Sequence, residues 1–257
     1  MDLSKVTSKL ADINGASNGD RPDYSANFWK PELGKQTIRI VPSKYNPDFP
    51  FTELKFHYGI GKYPMIALSN FGKQDPIEEF VKELRKTSDK DNWSLAGKLS
   101  PKTRIFAPVI VRGEEEKGVR LWGFGKTIYN ALLQLAADED IGDFTDPVNG
   151  WDLIVDQVQG NPYPETSVRI KPRQSELSDN PGWVEAWLKE QPNPSESFSQ
   201  MDHAFIKKQL ANYLNPDSED EESTTVSSAP AKSDFTLETA SEGKPDKATQ
   251  FKELFNE

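Results

Sequence analysis

Hydrophobic and polar residues alternate in several short segments of the chain, which is the pattern of half-buried β-strands. One of them, TIRIV, is followed directly by Pro42, which cannot donate to a sheet ladder and therefore ends the strand. Two pairs of segments flank turn-rich sequences, RGEEEKG and GNPYPET, and are predicted hairpins. The predicted strands are 37–41, 51–58, 103–111, 118–124, 151–158 and 167–170. Short strands at this density predict an antiparallel barrel or a small sandwich.

Hydrophobic residues recur at spacings of three and four in five other segments, which predicts amphipathic helices. The clearest begins at the N-cap residue Asp75, followed by Pro76 at the first helical position and by Glu78 three positions after the cap. Its core face is Ile77, Phe80, Val81 and Leu84. The predicted helices are 3–13, 75 to 86 or 87, 126–137, 181–190 and 201–214. The fold class expected is α+β, with helices at the periphery of the sheet.

Three parts of the chain differ in composition. Residues 1–20 are a predicted helical arm, because the turn-rich stretch ASNGDRPDYSAN separates its helix from the folded core at 21–215. Residues 216–257 are rich in Ser, Thr, Asp, Glu and Pro, with too few large apolar residues to bury, which predicts a disordered acidic tail. The terminal FKELFNE would present one apolar face as an induced helix, typical of a docking peptide; that face is Phe251, Leu254 and Phe255.

The charged residues are distributed unevenly. A net charge of −10 by itself argues against a nucleic-acid partner, because Lys and Arg drive phosphate binding. Residues 21–126, however, carry 19 bases and 13 acids, a net +6, whereas 1–20, 127–215 and 216–257 carry −1, −8 and −7. A basic segment between acidic ones indicates nucleic-acid binding with an acidic tail; an ordinary mixed surface is the alternative.

The first predicted hairpin combines basic and aromatic residues. Cations interleaved with rings suit single-stranded nucleic acid, because the cations contact phosphates and the rings stack on unpaired bases. Alternate residues of a strand share a face. Each strand then presents a three-residue face: Lys102, Arg104 and Phe106 on one, Arg120, Trp122 and Phe124 on the other. A face that mixes arginine with tryptophan makes a poor core, although the ring of Phe124 is expected to face the core. The candidate cluster is Lys102, Arg104, Arg112, Arg120, Trp122 and Lys126; a rim of solvated charges over a packed strand is the alternative.

Enzyme chemistry is disfavoured. The chain has no cysteine and only two histidines, which excludes thiol nucleophiles, thiolate metal sites and a three-histidine metal site. No nucleophile-elbow, phosphate-loop or metalloprotease motif occurs. The acidic loop 138–146 offers carboxylates for Mg²⁺, but without the alternation of a dedicated cation loop. The sequence contains no apolar run long enough to predict a membrane span, and the first twenty residues are too polar for a signal peptide.

With these elements in this order, the chain resembles the single-stranded DNA-binding, helix-destabilising proteins of T-even-like tailed bacteriophages. The most specific stretches are TIRIVPSK from Thr37, FAPVIV from Phe106, FGK from Phe124, and 151–160 leading to Tyr163. The resemblance implies an OB-like antiparallel β-barrel core with a cleft for single-stranded DNA. It further implies an N-terminal arm for cooperative binding and an acidic tail that recruits replication and recombination proteins.

The DNA-binding residues expected on this basis are Arg39, Lys44, Lys62, Tyr63, Lys102, Arg104, Phe106, Arg120, Trp122, Lys126, Tyr163 and Arg169. The arm supplies only two lysines, Lys5 and Lys9, where the family has a short motif rich in Lys and Arg. Cooperativity through this arm is therefore expected to be weaker, or to depend on its apolar face.

The resemblance also concerns a zinc lobe, here around residues 57–90. Family members that bind zinc use one histidine and three cysteines; His57 stands at the histidine position, and the cysteine positions are Leu68, Asp75 and Glu78. One histidine with two carboxylates is a weak zinc set, and Asp75 already caps a helix. We therefore expect no cofactor and no structural zinc, with the apolar helix face stabilising the lobe instead.

The function expected is cooperative, sequence-independent binding of single-stranded DNA in phage DNA replication, recombination and repair, without catalysis, in the cytoplasm of an infected bacterial host. The expected partners are single-stranded DNA, other copies of the chain through the arm, and phage replication and recombination proteins through the tail. The alternatives are an interaction adaptor that keeps the fold without DNA binding, and a Mg²⁺-dependent nuclease that uses the 138–146 loop.

Overall fold

A computed structural model describes residues 24–215. These residues contain eight strands: β1 Phe28–Trp29, β2 Gly34–Ile40, β3 Thr52–His57, β4 Met65–Ile66, β5 Lys102–Val111, β6 Arg120–Phe124, β7 Trp151–Val158 and β8 Glu165–Gln174. The five α-helices are α1 Pro76–Lys86, α2 Lys90–Leu99, α3 Lys126–Ala136, α4 Pro181–Lys189 and α5 His203–Leu214. Short 3₁₀ helices span Tyr24–Asn27, Leu68–Phe71 and Glu115–Lys117.

The described residues divide into two compact units. The sheet unit comprises 24–52 and 105–198, and the helical unit comprises 53–104 and 199–215.

Six strands form the sheet of the sheet unit, in the order β1-β6-β5-β2-β7-β8. β1 runs parallel to β6 and the other neighbours in this order are antiparallel. The strands are rich in β-branched and aromatic residues, and the alternation of β2 buries Ile38 and Ile40 on one face. Those two residues pack with Leu132 of α3, so the sheet and α3 enclose one apolar core.

The helical unit has a core of its own. The strands β3 and β4 pair antiparallel, with His57 opposite Met65. Helix α1 buries Ile77, Phe80, Val81 and Leu84 against residues of α2 and α5. Asp75 caps α1 as the sequence predicts, because its carboxylate accepts hydrogen bonds from the N–H groups of Ile77 and Glu78.

The α+β class and most elements were predictable, and the differences have local causes. Helix α2 was missed, because Asn92 and Gly97 interrupt its apolar spacing; the two-residue strands β1 and β4 are too short to show alternation. β8 is longer than expected. Among the described strands β1 and β8 remain edges, so the sheet is open and barrel closure is not confirmed. The predicted arm helix and acidic tail lie outside the described residues.

None of the helices within residues 24–215 has the length and hydropathy that a membrane crossing requires.

Candidate nucleic-acid interface

The register of the β5–β6 hairpin decides which residues of the candidate cluster share a face. Trp122 lies opposite Ala107, and Phe124 lies opposite Ile105. Arg120, Trp122 and Phe124 therefore share the face of Ala107 and point toward the core, whereas Phe106 points to the other face of the sheet. The expectation that Trp122 lies at the binding surface was wrong, because Trp122 is 1% exposed; Phe124 is buried in the core, as expected.

Trp122 and Phe124 belong to an aromatic network inside the core. The ring centroid of Trp122 lies 5.6 Å from that of Trp29 and 4.6 Å from that of Phe124. The ring of Phe51 packs edge-on against Phe124, with centroids 6.1 Å apart. Rings with these contacts stabilise the fold by burial and by edge-to-face packing, and they cannot stack on a DNA base without unfolding the unit.

Arg39 is fully buried and fixed by hydrogen bonds within the sheet unit. Its Nη1 lies 3.4 Å from Oδ1 of Asp152, and its Nη2 donates to the carbonyl oxygens of Asp146 and Ser175 at 3.0 and 2.6 Å. Burial lowers the pKa of Arg39, and the charge of Asp152 opposes that effect. A Cβ at Gly150 would lie 2.7 Å from Nη2, so glycine is required for this approach. Arg39 therefore joins two loops to the sheet and presents no surface to DNA.

Two other members of the expected set are also buried. Nine tenths of the Arg120 side chain is buried, and its Nη2 donates to Oε2 of Glu114 at 2.5 Å. Phe106 packs between the rings of Phe28 and Phe198, at centroid distances of 6.1 and 5.2 Å. Strand alternation alone did not reveal these roles, because both faces of β5 are covered near Phe106.

The exposed candidates of the helical unit are Lys62, Tyr63, Lys102 and Arg104. Tyr63 is 68% exposed in the loop between β3 and β4, and Nζ of Lys62 lies 5.5 Å from its ring centroid. An exposed ring beside a cation provides both contacts that an unpaired nucleotide needs, a stacking surface and a charge for the phosphate. Lys102 and Arg104 stand two apart at the start of β5 and share a face.

The exposed candidates of the sheet unit are Lys44, Lys126, Tyr163 and Arg169. Tyr163 is 78% exposed in the turn between β7 and β8, and Arg169 follows on β8. Lys44 lies 5.6 Å from the ring centroid of its neighbour Tyr45, an exposed tyrosine absent from the expected set. The KY pair at 44–45, which repeats the KY pair at 62–63, is the sequence signal that would have identified it.

Five candidate residues lie outside the described residues: Lys5 and Lys9 of the arm, and Phe251, Leu254 and Phe255 of the tail.

The acidic loop 138–146 uses its carboxylates to hold its own backbone. Asp143 accepts hydrogen bonds from the N–H and hydroxyl of Thr145, and Asp146 accepts from the N–H groups of Val148 and Asn149. These backbone hydrogen bonds lower the pKa of Asp146. Within residues 24–215, no set of three carboxylates in this loop converges on a common point. The loop carboxylates act as turn-forming groups.

One metal-ligand group does occur among the described residues, in the helical unit: His57, Asp75 and Glu78, with one ligand atom each within 4.8 Å of the others. The Asp75 carboxylate, however, already accepts four hydrogen bonds, from His57 Nε2 and from the N–H groups of Leu68, Ile77 and Glu78. Glu78 accepts a hydrogen bond from the Ser69 hydroxyl at 2.5 Å. Since the four donors occupy the lone-pair directions of Asp75 and Leu68 offers no ligand atom, these residues do not fit a tetrahedral zinc ion.

Comparison with known proteins agrees with the exposed cations and rings. No curated protein matches the chain. A family model described as "gp32 DNA binding protein like" matches residues 32–224, which is 193 of the 257 residues. The match covers the helical unit, the sheet unit from residue 32 onward, and every exposed candidate residue named above. The chain belongs to this gp32-like family of single-stranded DNA-binding proteins.

Proposed function

We propose that this protein binds single-stranded DNA without sequence preference, as part of phage DNA replication, recombination and repair, and that it presents the strand to other replication proteins. The observation that carries the proposal is the pairing of exposed tyrosines with cations: Tyr63 beside Lys62, and Tyr163 on the hairpin that carries Arg169. Rings stack on any base, because every base has a π-face, so such contacts bind without reading sequence.

The electrostatic part of the proposal rests on the exposed cations. In the helical unit Lys62, Lys102 and Arg104 accompany Tyr63; in the sheet unit Lys44, Lys126 and Arg169 accompany Tyr163. These six side chains supply the phosphate contacts. The buried Arg39, Phe106, Arg120 and Trp122 support them by holding the strands in place, and we do not assign them to DNA.

Cooperativity, self-association and partner recruitment belong to the proposal as expectations from the family. The arm at 1–20 would link neighbouring copies along the strand, and the tail at 216–257 would recruit partners through Phe251, Leu254 and Phe255. The OB-type core stays a prediction as well. Equal affinity per site on long and short oligonucleotides would contradict a cooperative arm.

The tyrosines provide the test of the stacking contacts. Replacing Tyr63 or Tyr163 by Leu keeps apolar bulk and removes the stacking ring, so affinity for a labelled oligo(dT) should fall about 5- to 150-fold for each, as one stacked base is worth about 1–3 kcal/mol. Matched controls replace exposed rings with no assigned role, Phe205→Leu in the helical unit and Trp183→Leu in the sheet unit. The measurement is fluorescence anisotropy at fixed salt.

The same titration separates the alternatives. An adaptor without DNA binding would show no saturable change for the unmodified protein, and a nuclease would shorten the oligonucleotide when Mg²⁺ is added. Equal losses in the tyrosine variants and the control variants would reject the assigned stacking sites.

We also propose that the helical unit folds without a metal or any other cofactor. The support is the fully hydrogen-bonded Asp75 carboxylate and the apolar face of α1, which is buried against α2 and α5. Chelator-treated protein should keep its thermal unfolding midpoint, and elemental analysis should find no stoichiometric zinc. Zinc at one equivalent per chain would overturn this proposal.

A further inference from the structure

A groove in the sheet unit has six cations among its thirteen lining residues and contains none of the exposed DNA-binding candidates. It has a volume of about 500 Å³ and lies beside the start of β2, the end of β5 and the middle of β8. The lining cations are Lys30, Lys35, Arg112, Lys117, Arg120 and Lys171, and the lining carboxylates are Glu32 and Glu114. We call it the basic groove. Six cations in one groove stand out in a unit whose described residues carry 12 bases and 18 acids.

The carboxylates near the basic groove neutralise its cations only in part, because two of them are shared. Asp156 pairs with Lys35 at 3.8 Å. Glu114 is paired with both Lys117 and Arg120. Asp152 is paired with Arg112 and Lys171, and in addition with the buried Arg39. One carboxylate that serves two or three cations leaves positive charge without a partner, and a concave surface concentrates the resulting potential.

An unused hydrogen-bond donor lies in the same place. The Nε atom of Arg120 is buried and has no hydrogen-bond partner, although the Nη2 of the same guanidinium is bound to Glu114. A buried guanidinium N–H without an acceptor is costly, and an anion in the groove would offset part of that cost through the negative potential it supplies.

The lining also indicates which anion would bind. The aromatic lining residues are Phe28 and Trp29; Trp29 is buried against Trp122, and Phe28 packs on Phe106 and Phe198. Neither ring is placed to stack on a base. The groove therefore suits a chain of phosphates, contacted through charge alone.

Continuity with β8 favours a nucleic-acid strand over an acidic peptide. Arg169 pairs with Ile154, which pairs with Thr37, so Arg169, Lys171 and Lys35 lie on the same face of the sheet. β8 begins at Glu165, just after the turn with Tyr163, and Lys171 lies about 20 Å along it at roughly 3.3 Å per residue. A strand stacked on Tyr163 can thus continue past Arg169 into the basic groove.

We propose that the basic groove is a phosphate-only extension of the single-stranded DNA path, with Lys30, Lys35, Lys117 and Lys171 as its phosphate contacts. This inference rests on the proposed function. Under this proposal, the basic groove contributes to DNA affinity through charge alone, so its contribution is the same for every base sequence.

The experiment compares four full-length proteins in a salt titration with a long oligo(dT). One is unmodified, one carries Lys30→Gln, Lys35→Gln, Lys117→Gln and Lys171→Gln, and one carries Arg at the same four positions. The fourth carries Lys73→Gln, Lys82→Gln, Lys86→Gln and Lys189→Gln, which changes the net charge equally at exposed lysines without an assigned role. All eight positions lie at the surface or at the groove edge, and thermal unfolding checks that each protein is folded.

In a plot of log affinity against log salt, the slope of the groove glutamine variant should be shallower than that of the unmodified protein by about 3. The reason is that each of the four lost single-strand phosphate contacts contributes about 0.7. The arginine variant should keep the slope, and the control variant should keep most of it. The groove assignment is overturned if the unmodified protein binds DNA and the groove glutamine variant has the same slope. It is also overturned if the control variant loses as much slope as the groove glutamine variant. Absence of binding by the unmodified protein would instead reject the proposed function.

A synthetic peptide of residues 216–224 provides the competing ligand. If the groove variant binds DNA as the unmodified protein does but is no longer inhibited by this peptide, the groove is a peptide site and the DNA assignment is overturned. If peptide inhibition is the same in both proteins, the loss of slope in the groove variant belongs to DNA contacts and supports the proposal.

Discussion

At the scale of single residues, the buried pair of His57 and Asp75 shows how the helical unit is held. Their side chains are 3.1 Å apart and closed to solvent. An ionised carboxylate only accepts hydrogen bonds, so Nε2 of His57 must carry the proton that it shares with Asp75. The buried Nδ1 of His57 has no hydrogen-bond partner. The Nε2–H of His57 and the carboxylate of Asp75 therefore join β3 to the start of α1.

The same pair makes the stability of the helical unit dependent on acid. Burial acts to raise the pKa of Asp75, but the hydrogen bond and charge of His57 and the N–H groups of Leu68 and Glu78 outweigh it, so the pKa lies below its ordinary value. A carboxyl with a lowered folded pKa stabilises the fold above its unfolded pKa of about 3.9, and that stabilisation is lost as the pH falls through the folded pKa.

Asp75→Asn tests this residue. At pH 7 the variant should lose about 2–4 kcal/mol of unfolding free energy, because it loses the charged cap of α1 and places an NH₂ group toward a donor. The difference from the unmodified protein should shrink as the pH falls below the unfolded pKa of about 3.9 and through the lowered folded pKa, because the carboxyl of the unmodified protein then becomes protonated. Urea unfolding at several pH values measures both quantities; a difference that stays constant with pH would contradict the role of the ionised carboxylate.

At the scale of elements, the hairpin of β5 and β6 shows that the sequence predicts which side chains share a face but not which face is buried. Alternation correctly groups Arg120 with Trp122 and Phe124, because side chains repeat every two residues. It does not say which face is covered, since that depends on cross-strand register and on Trp29, which is distant in sequence.

Local signals explain the successes. The first turn of α1 is specified by Asp75, Pro76 and Glu78 within four residues, so the helix start is predictable from sequence alone. Arg39 is the opposite case. It stands between two core isoleucines and would ordinarily face solvent, but its partner Asp152 lies 113 residues away along the chain. Exposed stacking candidates such as Tyr163 were predictable because turn residues lie at the surface.

Trp122→Ala tests the structural role given to β6. Removing a fully buried tryptophan should cost about 3–5 kcal/mol of unfolding free energy. Trp183→Ala, at an exposed tryptophan, should cost much less. Denaturant unfolding gives both values, and DNA titration under conditions where both variants are folded should show near-normal affinity. If the Trp122→Ala protein has normal stability but no longer binds DNA, Trp122 contacts DNA and the structural role given to it here is wrong.

At the scale of the whole molecule, charge is segregated between parts of the chain. Residues 216–257 carry 11 acids and 4 bases, whereas the helical unit carries 12 bases and 8 acids among its described residues. An acidic segment and a DNA strand compete for the same cations, because both present repeated negative charge. The net charge of −10 is therefore the sum over parts of the chain with opposite net charge.

Removal of the tail tests this competition. A chain that ends after Asn215 should bind single-stranded DNA more tightly than the full chain at low salt, by about tenfold for about 1.4 kcal/mol of lost competition. The gain should disappear at high salt, because screening weakens both interactions. Equal affinities of the two proteins at low salt would reject competition by the tail.

The most direct test of the central claim is a salt series on the unmodified protein with labelled single-stranded DNA. If the six exposed cations bind phosphates, log affinity should fall linearly with log salt at a slope of at least about −4 in magnitude, and of about −7 if the four lysines of the basic groove bind as well, since each single-strand contact contributes about −0.7. The slope should be similar for oligonucleotides of different sequence. An affinity that is absent, or that stays flat between about 50 and about 400 mM salt, would contradict binding through these phosphate contacts.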